Sequence, residues 1–369
     1  MDRGVQMADW LAARRKDTAT ALICKAGRLT YQELHEASAS FAGHLRERRV
    51  DRGQRVAVLA RSAFLFAVSL HAMRYLQAIL VPINTRLAAP EIAWQLRDAG
   101  VSLVLCDVAH EELARDALGH LAALPPSGSD ACLVPALACF DERVPLPRAR
   151  PVEPERIDLS AVQSIMYTSG TTGTPKGALI THGNHYFGAA ASAFGLGIDR
   201  RDVWMTPLPL FHVGGQSVLM RSLLYGTTAL IQERFDAAQA VRLIDSERVT
   251  LLSVVAVTLA DLLRALGDRP FPEHVRCVLL GGGPAPRPLL EACARVGCAV
   301  SQSYGLTESN SQAVTLLPHE ALAKLGSAGR PLLGTEVCIL KESDGAQTTE
   351  PELAGPGEAG EILVRGPQV

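Results

Sequence analysis

Lysine is scarce in this sequence: five occur in 369 residues, at 16, 25, 176, 324 and 341, and the rest of the basic charge is arginine. A lysine inside a glycine-rich loop is therefore conspicuous here. Neither sign of charge is in excess. The net charge of −2 removes any bulk electrostatic case for nucleic acid or an anionic membrane surface as a partner. Long hydrophobic runs are missing too. Stretches such as Val56–Ala60 and Leu76–Val81 break off far short of the roughly 20 residues that a membrane-crossing helix needs. Met1–Lys16 carries charges but no apolar core followed by a small-residue cleavage site, so it does not read as a secretory signal. Eight cysteines stand at 24, 106, 132, 139, 277, 293, 298 and 338, with no Cys-x-x-Cys pair among them. Their apolar settings, such as Val104-Leu105-Cys106, suit small buried side chains in a reducing cytoplasm. The expectation is a cytoplasmic protein with no nucleic-acid partner and no membrane span; a homodimer is left open.

What is present is enough for large cores. The composition is 48% hydrophobic and 20% charged, which excludes a mostly disordered chain, and the length suggests two or three units. Short apolar runs alternate with helical patterns. Thr30-Tyr31-Gln32-Glu33 has the spacing of a helix N-terminus, and Leu34–Arg46 continues as an amphipathic helix. Strands are expected at Arg55–Ala60, Ala78–Ile83, Ser102–Cys106, Ser164–Thr168, Val203–Leu208, Thr228–Ile231, Leu251–Val255 and His274–Leu280. Helices are expected at Phe64–Tyr75, Glu91–Ala99, Asn184–Ala193, Val213–Tyr225, Ala237–Glu247 and Arg287–Arg295. Such alternation indicates parallel sheets built from βαβ units. Leu124–Asp130 and Asp141–Asp158 read as connectors. From about Gly334 the pattern changes to strands and turns, Glu336–Lys341 and Gly360–Val364. Asp202, Asp236 and Asp261 read as solvated or capping charges.

The most informative segment is Tyr167-Thr-Ser-Gly-Thr-Thr-Gly-Thr-Pro-Lys-Gly-Ala178, which follows an apolar strand. Its glycines, Gly170, Gly173 and Gly177, let the backbone approach a ligand. Its hydroxyls, on Thr168, Ser169, Thr171, Thr172 and Thr174, can donate to phosphate oxygens. Lys176 adds positive charge. The order of a Walker A loop is absent.

This segment resembles the phosphate loop of the adenylate-forming superfamily, which comprises acyl- and aryl-CoA synthetases, peptide-synthetase adenylation domains and luciferases. Further segments follow in the order the family would have them. Pro207-Leu-Pro-Leu-Phe-His-Val-Gly-Gly215 resembles the segment lining the acyl pocket. Leu280-Gly-Gly-Gly-Pro-Ala-Pro286 resembles the loop beside adenine, and Gln302-Ser-Tyr-Gly-Leu-Thr-Glu308 the motif with an adenine-stacking Tyr and a magnesium-binding Glu. Gly360-Glu-Ile-Leu-Val-Arg-Gly-Pro367 resembles a strand motif near the end of the large domain. The resemblance implies an α/β fold of two parallel-sheet subdomains followed by the start of a small β-rich one. It places the two interleaved subdomains, with the ATP and acid sites, in residues 1–333 and the β-rich start in residues 334–369. It also implies ATP, Mg²⁺ and CoA as cofactor and co-substrates of a small-molecule acid.

The resemblance assigns roles by position. Ser169, Thr171, Thr172 and Lys176 would hold the β- and γ-phosphates, with Thr168, Gly170 and Gly173 completing the loop. Glu308 would bind Mg²⁺, with Thr172 as second ligand, and Thr307 would touch the α-phosphate. Gly281, Gly282, Gly283, Ser303, Tyr304 and Gly305 would surround adenine. His212 would position the carboxylate or close the acid pocket. Within the family, Gly183-Asn-His-Tyr-Phe187, Leu210–Ser217, Leu279–Leu290, Ser303–Ser309 and Lys324–Pro331 resemble the ligases of menaquinone biosynthesis that activate o-succinylbenzoate. That acid carries two carboxylates, so its distal one needs a partner. Arg221, the only charge from Val218 to Leu224, matches the basic residue that contacts it in those ligases, with Ser303 as a further donor. Arg86 reads as structural. Two alternatives stand beside this one: a ligase for another aryl, fatty or small acid, and a non-catalytic adenylate-binding relative. Residues 1–369 contain no counterpart of the family's small C-terminal domain, whose lysine contacts the acyl carboxylate. The expectation is a chain that binds the acyl-adenylate but turns over poorly.

Overall fold

A computed structural model describes residues 5–124, 134–154, 156–168, 173–341 and 352–369. A short strand β1 (Gln6–Met7) leads to the hairpin β2 (Thr20–Cys24) and β3 (Gly27–Thr30), then α1 (Tyr31–Glu47). An alternating run follows: β4 (Arg55–Leu59), α2 (Ala63–Leu76), β5 (Ile79–Pro82), α3 (Ala89–Asp98), β6 (Leu103–Asp107), α4 (Glu111–Ala123) and β7 (Ala136–Phe140). Beyond β8 (Ile157–Asp158), which pairs with β1, come β9 (Val162–Thr168), β10 (Lys176–Thr181) and α5 (His182–Leu196). The second half continues with β11 (Val203–Thr206), α6 (Val213–Tyr225), β12 (Thr228–Ile231), α7 (Ala237–Ser246), β13 (Leu251–Val254), α8 (Ala256–Leu266), β14 (Cys277–Leu280) and α9 (Arg287–Arg295). It ends with β15 (Val300–Tyr304), β16 (Val314–Leu316), β17 (Arg330–Pro331), β18 (Glu336–Lys341) and β19 (Gly360–Arg365).

These strands form two large sheets. One has the order β10-β9-β5-β4-β6-β7 and is parallel except for β10 at its edge. The other has the order β17-β16-β15-β14-β13-β11-β12-β2-β3, with a parallel centre and antiparallel edges. β18 and β19 pair as a separate antiparallel ribbon.

Helices cover both faces of each sheet, as buried parallel strands require. The outer face of the first sheet packs on α3 and α4 through Ile92, Leu96, Ala117 and Leu121. The outer face of the second packs on α7, α8 and α9 through Ile244, Leu259, Leu262 and Leu290. Between the sheets lies one shared core, in which Phe66 and Leu70 of α2 and Val218 and Leu219 of α6 meet Val56 and Leu80 from one side and Trp204 and Leu251 from the other. Because α2 is enclosed in this layer, nearly every residue from Ala63 to Leu76 is buried.

Local chemistry accounts for the element boundaries. Thr30 and Glu33 close a reciprocal capping box: Glu33 N–H donates to the Thr30 hydroxyl (3.1 Å) and Thr30 N–H to the Glu33 carboxylate (2.8 Å). β11 stops at Thr206, two residues earlier than the sequence suggests, because Pro207 and Pro209 lack the N–H that a ladder needs. The hairpin β2–β3 joins the second sheet across some 200 residues of sequence, a pairing no local pattern signals. Asp202 corrects the sequence reading. It is 3% exposed and accepts from Arg276 Nη2 (2.6 Å) and Thr250 Oγ1 (2.7 Å), so it is a buried structural charge. Asp236 does cap α7, and Asp261 pairs with Arg264 on the surface. No described helix is long and apolar enough to cross a membrane.

Two buried groups tie the N-terminal segment to this frame. Asp9 accepts from Leu11 and Ala12 N–H (3.0 and 2.9 Å) and from Arg74 Nε (2.7 Å) on α2. Both side chains are 2% exposed. Removing one member of such a pair strands the other, at a cost of about 3–5 kcal/mol. Arg74→Met should therefore lower the denaturation midpoint strongly, and Asp9→Asn in the same chain should recover part of the loss.

A pH dependence follows from the histidines packed in the same region. Burial holds His182 and His185 neutral, lowering each pKa to about 3. Between pH 6.5 and 5 the unfolded chain takes up protons at these side chains and the folded chain does not. Stability should therefore fall with falling pH in that window, by up to about 1.4 kcal/mol per pH unit for each histidine. Urea unfolding of wild type and His185→Gln at pH 6.5 and 5 tests this; the variant should show the shallower loss.

Candidate functional site

Four of the segments singled out from the sequence lie at the carboxyl ends of parallel strands, where open α/β sheets place their ligands. β9 runs into the hydroxyl-rich loop, β11 into Pro207–His212, β14 into Gly281–Gly283 and β15 into Gly305–Glu308. The two sheets aim these ends at a common crevice, which contains separate cavities.

One cavity of about 470 Å³ is lined by Thr168, Gly173, Pro175, Phe211, His212 and Thr307, with Tyr167 and residues of α3 behind them. Ser169, Gly170, Thr171 and Thr172 lie outside the described residues. The loop's base is well defined. Lys176 opens β10 opposite Thr168 of β9. Tyr167 donates to Asp98 Oδ2 (2.6 Å) on α3. Gly177 is required here, since a Cβ would come within 2.8 Å of Ile165 Cγ2. Lys176 is exposed and forms no ion pair among the described residues.

A second cavity of about 460 Å³ is lined by Gly282, Gly283, Gln302, Ser303, Tyr304 and Gly305. Gly282 takes φ +77°, the left-handed turn that exposes the loop's backbone. Gly281 stands just behind, with its Cβ position 3.7 Å from Ser303 O. Gln302 was not given a role from the sequence, yet its Nε2 is buried with no hydrogen-bond acceptor among the described residues. An unpaired buried donor on a cavity wall is a group that a ligand's acceptor can satisfy. The turn carrying Thr307 joins the two cavities, and Glu308 projects from it, exposed and without an ion pair among the described residues.

His212 is the N-cap residue of α6, its carbonyl accepting from Gly215 and Gln216 N–H (both 3.0 Å). Gly215 permits this tight entry, because a Cβ would overlap the carbonyl oxygen of Pro209. The His212 ring lies tilted on Phe211, 4.5 Å between centroids. Desolvation by the cavity walls lowers its pKa below 6.5, and the Arg86 guanidinium adds to the effect.

Arg221 lies two turns further along α6 and is 2% exposed. Its guanidinium stands over the Trp204 ring at 5.7 Å, and its Nη2 has no hydrogen-bond partner among the described residues. Burial lowers its pKa from 12.5. It lines neither cavity and stands deeper, inside the shared core.

A third cavity, about 410 Å³, opens beyond Phe211 and is lined by Arg61, Arg86, Arg234 and Glu233. The sequence reading took Arg86 as structural and passed over the other two. Their shared place, just past β4, β5 and β12, is visible only when the strands are assembled.

This architecture, with its hydroxyl- and glycine-rich loops at the carboxyl strand ends, belongs to enzymes that bind adenine nucleotides. Residues 9–369 match the AMP-binding enzyme family, and the chain belongs to it. It is 43% identical over 365 residues to the 2-succinylbenzoate–CoA ligase of Geobacillus kaustophilus, an overlap covering 98% of this chain and 69% of that protein. Among solved structures it resembles o-succinylbenzoate CoA synthetase (MenE) from Bacillus subtilis in complex with the acyl-adenylate intermediate OSB-AMP. The TM-score is 0.87 at 38% identity, covering 99% of this chain and 70% of the other. The same enzyme in complex with ATP and magnesium ion gives TM-score 0.87 at 38% identity, covering 99% and 72%.

The lowered pKa of His212 is directly measurable. An NMR titration of the ring should give a midpoint below 6.5. Arg86→Gln removes a neighbouring positive charge and should move the midpoint upward.

Proposed function

We propose that this chain carries the nucleotide and acid sites of an ATP-dependent ligase that converts o-succinylbenzoate to its acyl-adenylate, the intermediate from which the thioester with CoA is made. The observation that carries the choice of acid is Arg221. A buried guanidinium normally has carboxylate or carbonyl partners, because leaving it unpaired is costly. The unpartnered Nη2 is the group that a second carboxylate would satisfy, in a bidentate geometry that lysine could not supply. A fatty acid offers nothing to such a group.

The remaining geometry supports the same reading. The reaction joins a carboxylate oxygen to the α-phosphorus and expels pyrophosphate, so negative charge must be offset along the phosphate chain. Tyr304, the glycines of Gly281–Gly283 and the free Gln302 amide suit a purine in the second cavity. Thr307 then faces the α-phosphate from the turn between the cavities, while Lys176 with Thr168, Gly173 and the intervening loop suits the β- and γ-phosphates. His212 closes the first cavity on the acid side as a neutral ring, so it neither repels Arg221 nor pairs with the carboxylate under attack. Glu308 fits Mg²⁺, since its exposed carboxylate is a hard oxygen donor with no competing ion pair among the described residues. Bound there, the ion would supply positive charge to the phosphates. Arg61, Arg86 and Arg234 around the third cavity suit the phosphate groups of CoA.

The test is calorimetric binding of three acyl sulfamoyl-adenosines, with o-succinylbenzoyl, benzoyl and decanoyl groups, to wild type and Arg221→Ala. The o-succinylbenzoyl compound should bind tightest to wild type and lose about 2 kcal/mol or more, roughly thirty-fold, in the variant, while the other two change little. Equal or tighter binding of the benzoyl or decanoyl compound would overturn the choice of acid and leave the adenylate site standing.

A further inference from the structure

Resting on the reading of Glu308 and Thr307 as phosphate- and magnesium-side groups, we infer that Asn310, which lines neither cavity, is the residue that positions them. The turn from Gly305 to Ser311 folds back on itself so tightly that a Cβ on Gly305 would overlap the carbonyl oxygen of Ser311. It closes through Asn310 N–H to Thr307 O (3.0 Å), Ser311 N–H to Leu306 O (3.1 Å) and Leu306 N–H to Ser309 Oγ (2.8 Å). Closing it puts two successive non-glycine residues in the left-handed region, Asn310 at φ +50° and Ser311 at φ +89°. Side chains other than Asn and Asp avoid that region, and such strain persists only where the surroundings hold it.

The Asn310 side chain supplies that hold. It is 2% exposed, and its Nδ2 donates to the backbone carbonyl of Asn184 (2.9 Å), 126 residues away on α5. The approach depends on Gly188, one turn further along α5, where a Cβ would lie 3.0 Å from Asn310 Nδ2. Asn184 itself closes the N-terminal cap of α5 with Thr181, the last residue of the strand that Lys176 begins. One amide therefore joins the Thr307–Glu308 turn to the strand that carries the loop lysine. It keeps the two phosphate-facing elements of the crevice in register without touching the nucleotide. Ordinary side-chain packing would not need both the left-handed backbone and the cross-chain amide at the same residue.

The test uses the full chain as wild type, Asn310→Ala and Asn310→Gly. MgATP affinity is measured by calorimetry and adenosine affinity by ligand-observed NMR. Adenosine reports the base cavity without Glu308. Asn310→Ala loses both the amide and the left-handed tolerance, and should weaken MgATP tenfold or more while adenosine changes less than threefold. Asn310→Gly keeps the backbone freedom and loses only the amide, so it should weaken MgATP three- to tenfold with adenosine unchanged. If the alanine variant does not fold, the glycine variant alone decides. Equal losses for MgATP and adenosine, or no loss of MgATP, would overturn the inference. A wild-type chain that binds adenosine but shows no gain from phosphates and magnesium would instead overturn the reading of Glu308.

Discussion

The structure depends on one packing constraint: two parallel sheets bury their inner faces on the same helices. α2 and α6 are covered on both sides, so neither sheet can shift without opening the core that holds Phe66, Leu70, Val218 and Trp204 together. A parallel sheet carries all its strand-to-helix loops at the carboxyl ends of its strands. Fixing two such sheets against one helical layer therefore fixes two sets of loops against each other. The crevice and its cavities follow from that arrangement.

The same constraint decides the fate of buried charge. Arg74 and Arg221 are both arginines on helices of the shared layer, and both are enclosed. Arg74 meets Asp9 and its charge is spent on holding the N-terminal segment. Arg221 meets the face of Trp204 and the walls of the core, and its Nη2 has no hydrogen-bond partner among the described residues. Asp202 and Arg276 repeat the first pattern at the base of the second sheet.

Much of the candidate site was legible beforehand because its residues are close in sequence. Gly281–Gly283 and Gly305–Glu308 each occupy one turn beyond one strand, and a local motif carries their spacing. Arg221 stood out for a different reason: it is a single charge in an apolar helix, and the structure shows it buried. Gln302, Arg61, Arg234 and Asn310 escaped notice. Gln302 looks like any strand residue until burial shows its amide unpaired. The arginines acquire meaning only when three strand ends converge. Asn310 resembles an ordinary turn residue until the carbonyl of Asn184 is found beneath it.

The sequence by itself determined the alternation of strands and helices, the capping of α1 by Thr30 and Glu33, the glycine positions and the family. These are local matters, set by periodicity, side-chain size and hydrogen bonds within a few residues. Only the tertiary structure decided that β2 and β3 extend the second sheet, that Asp202 is a buried ion-pair partner and not a solvated one, and that Arg221 is enclosed in the shared core over Trp204. Each of those depends on groups far apart in the chain meeting in a space from which water is excluded, and no local pattern encodes such a meeting.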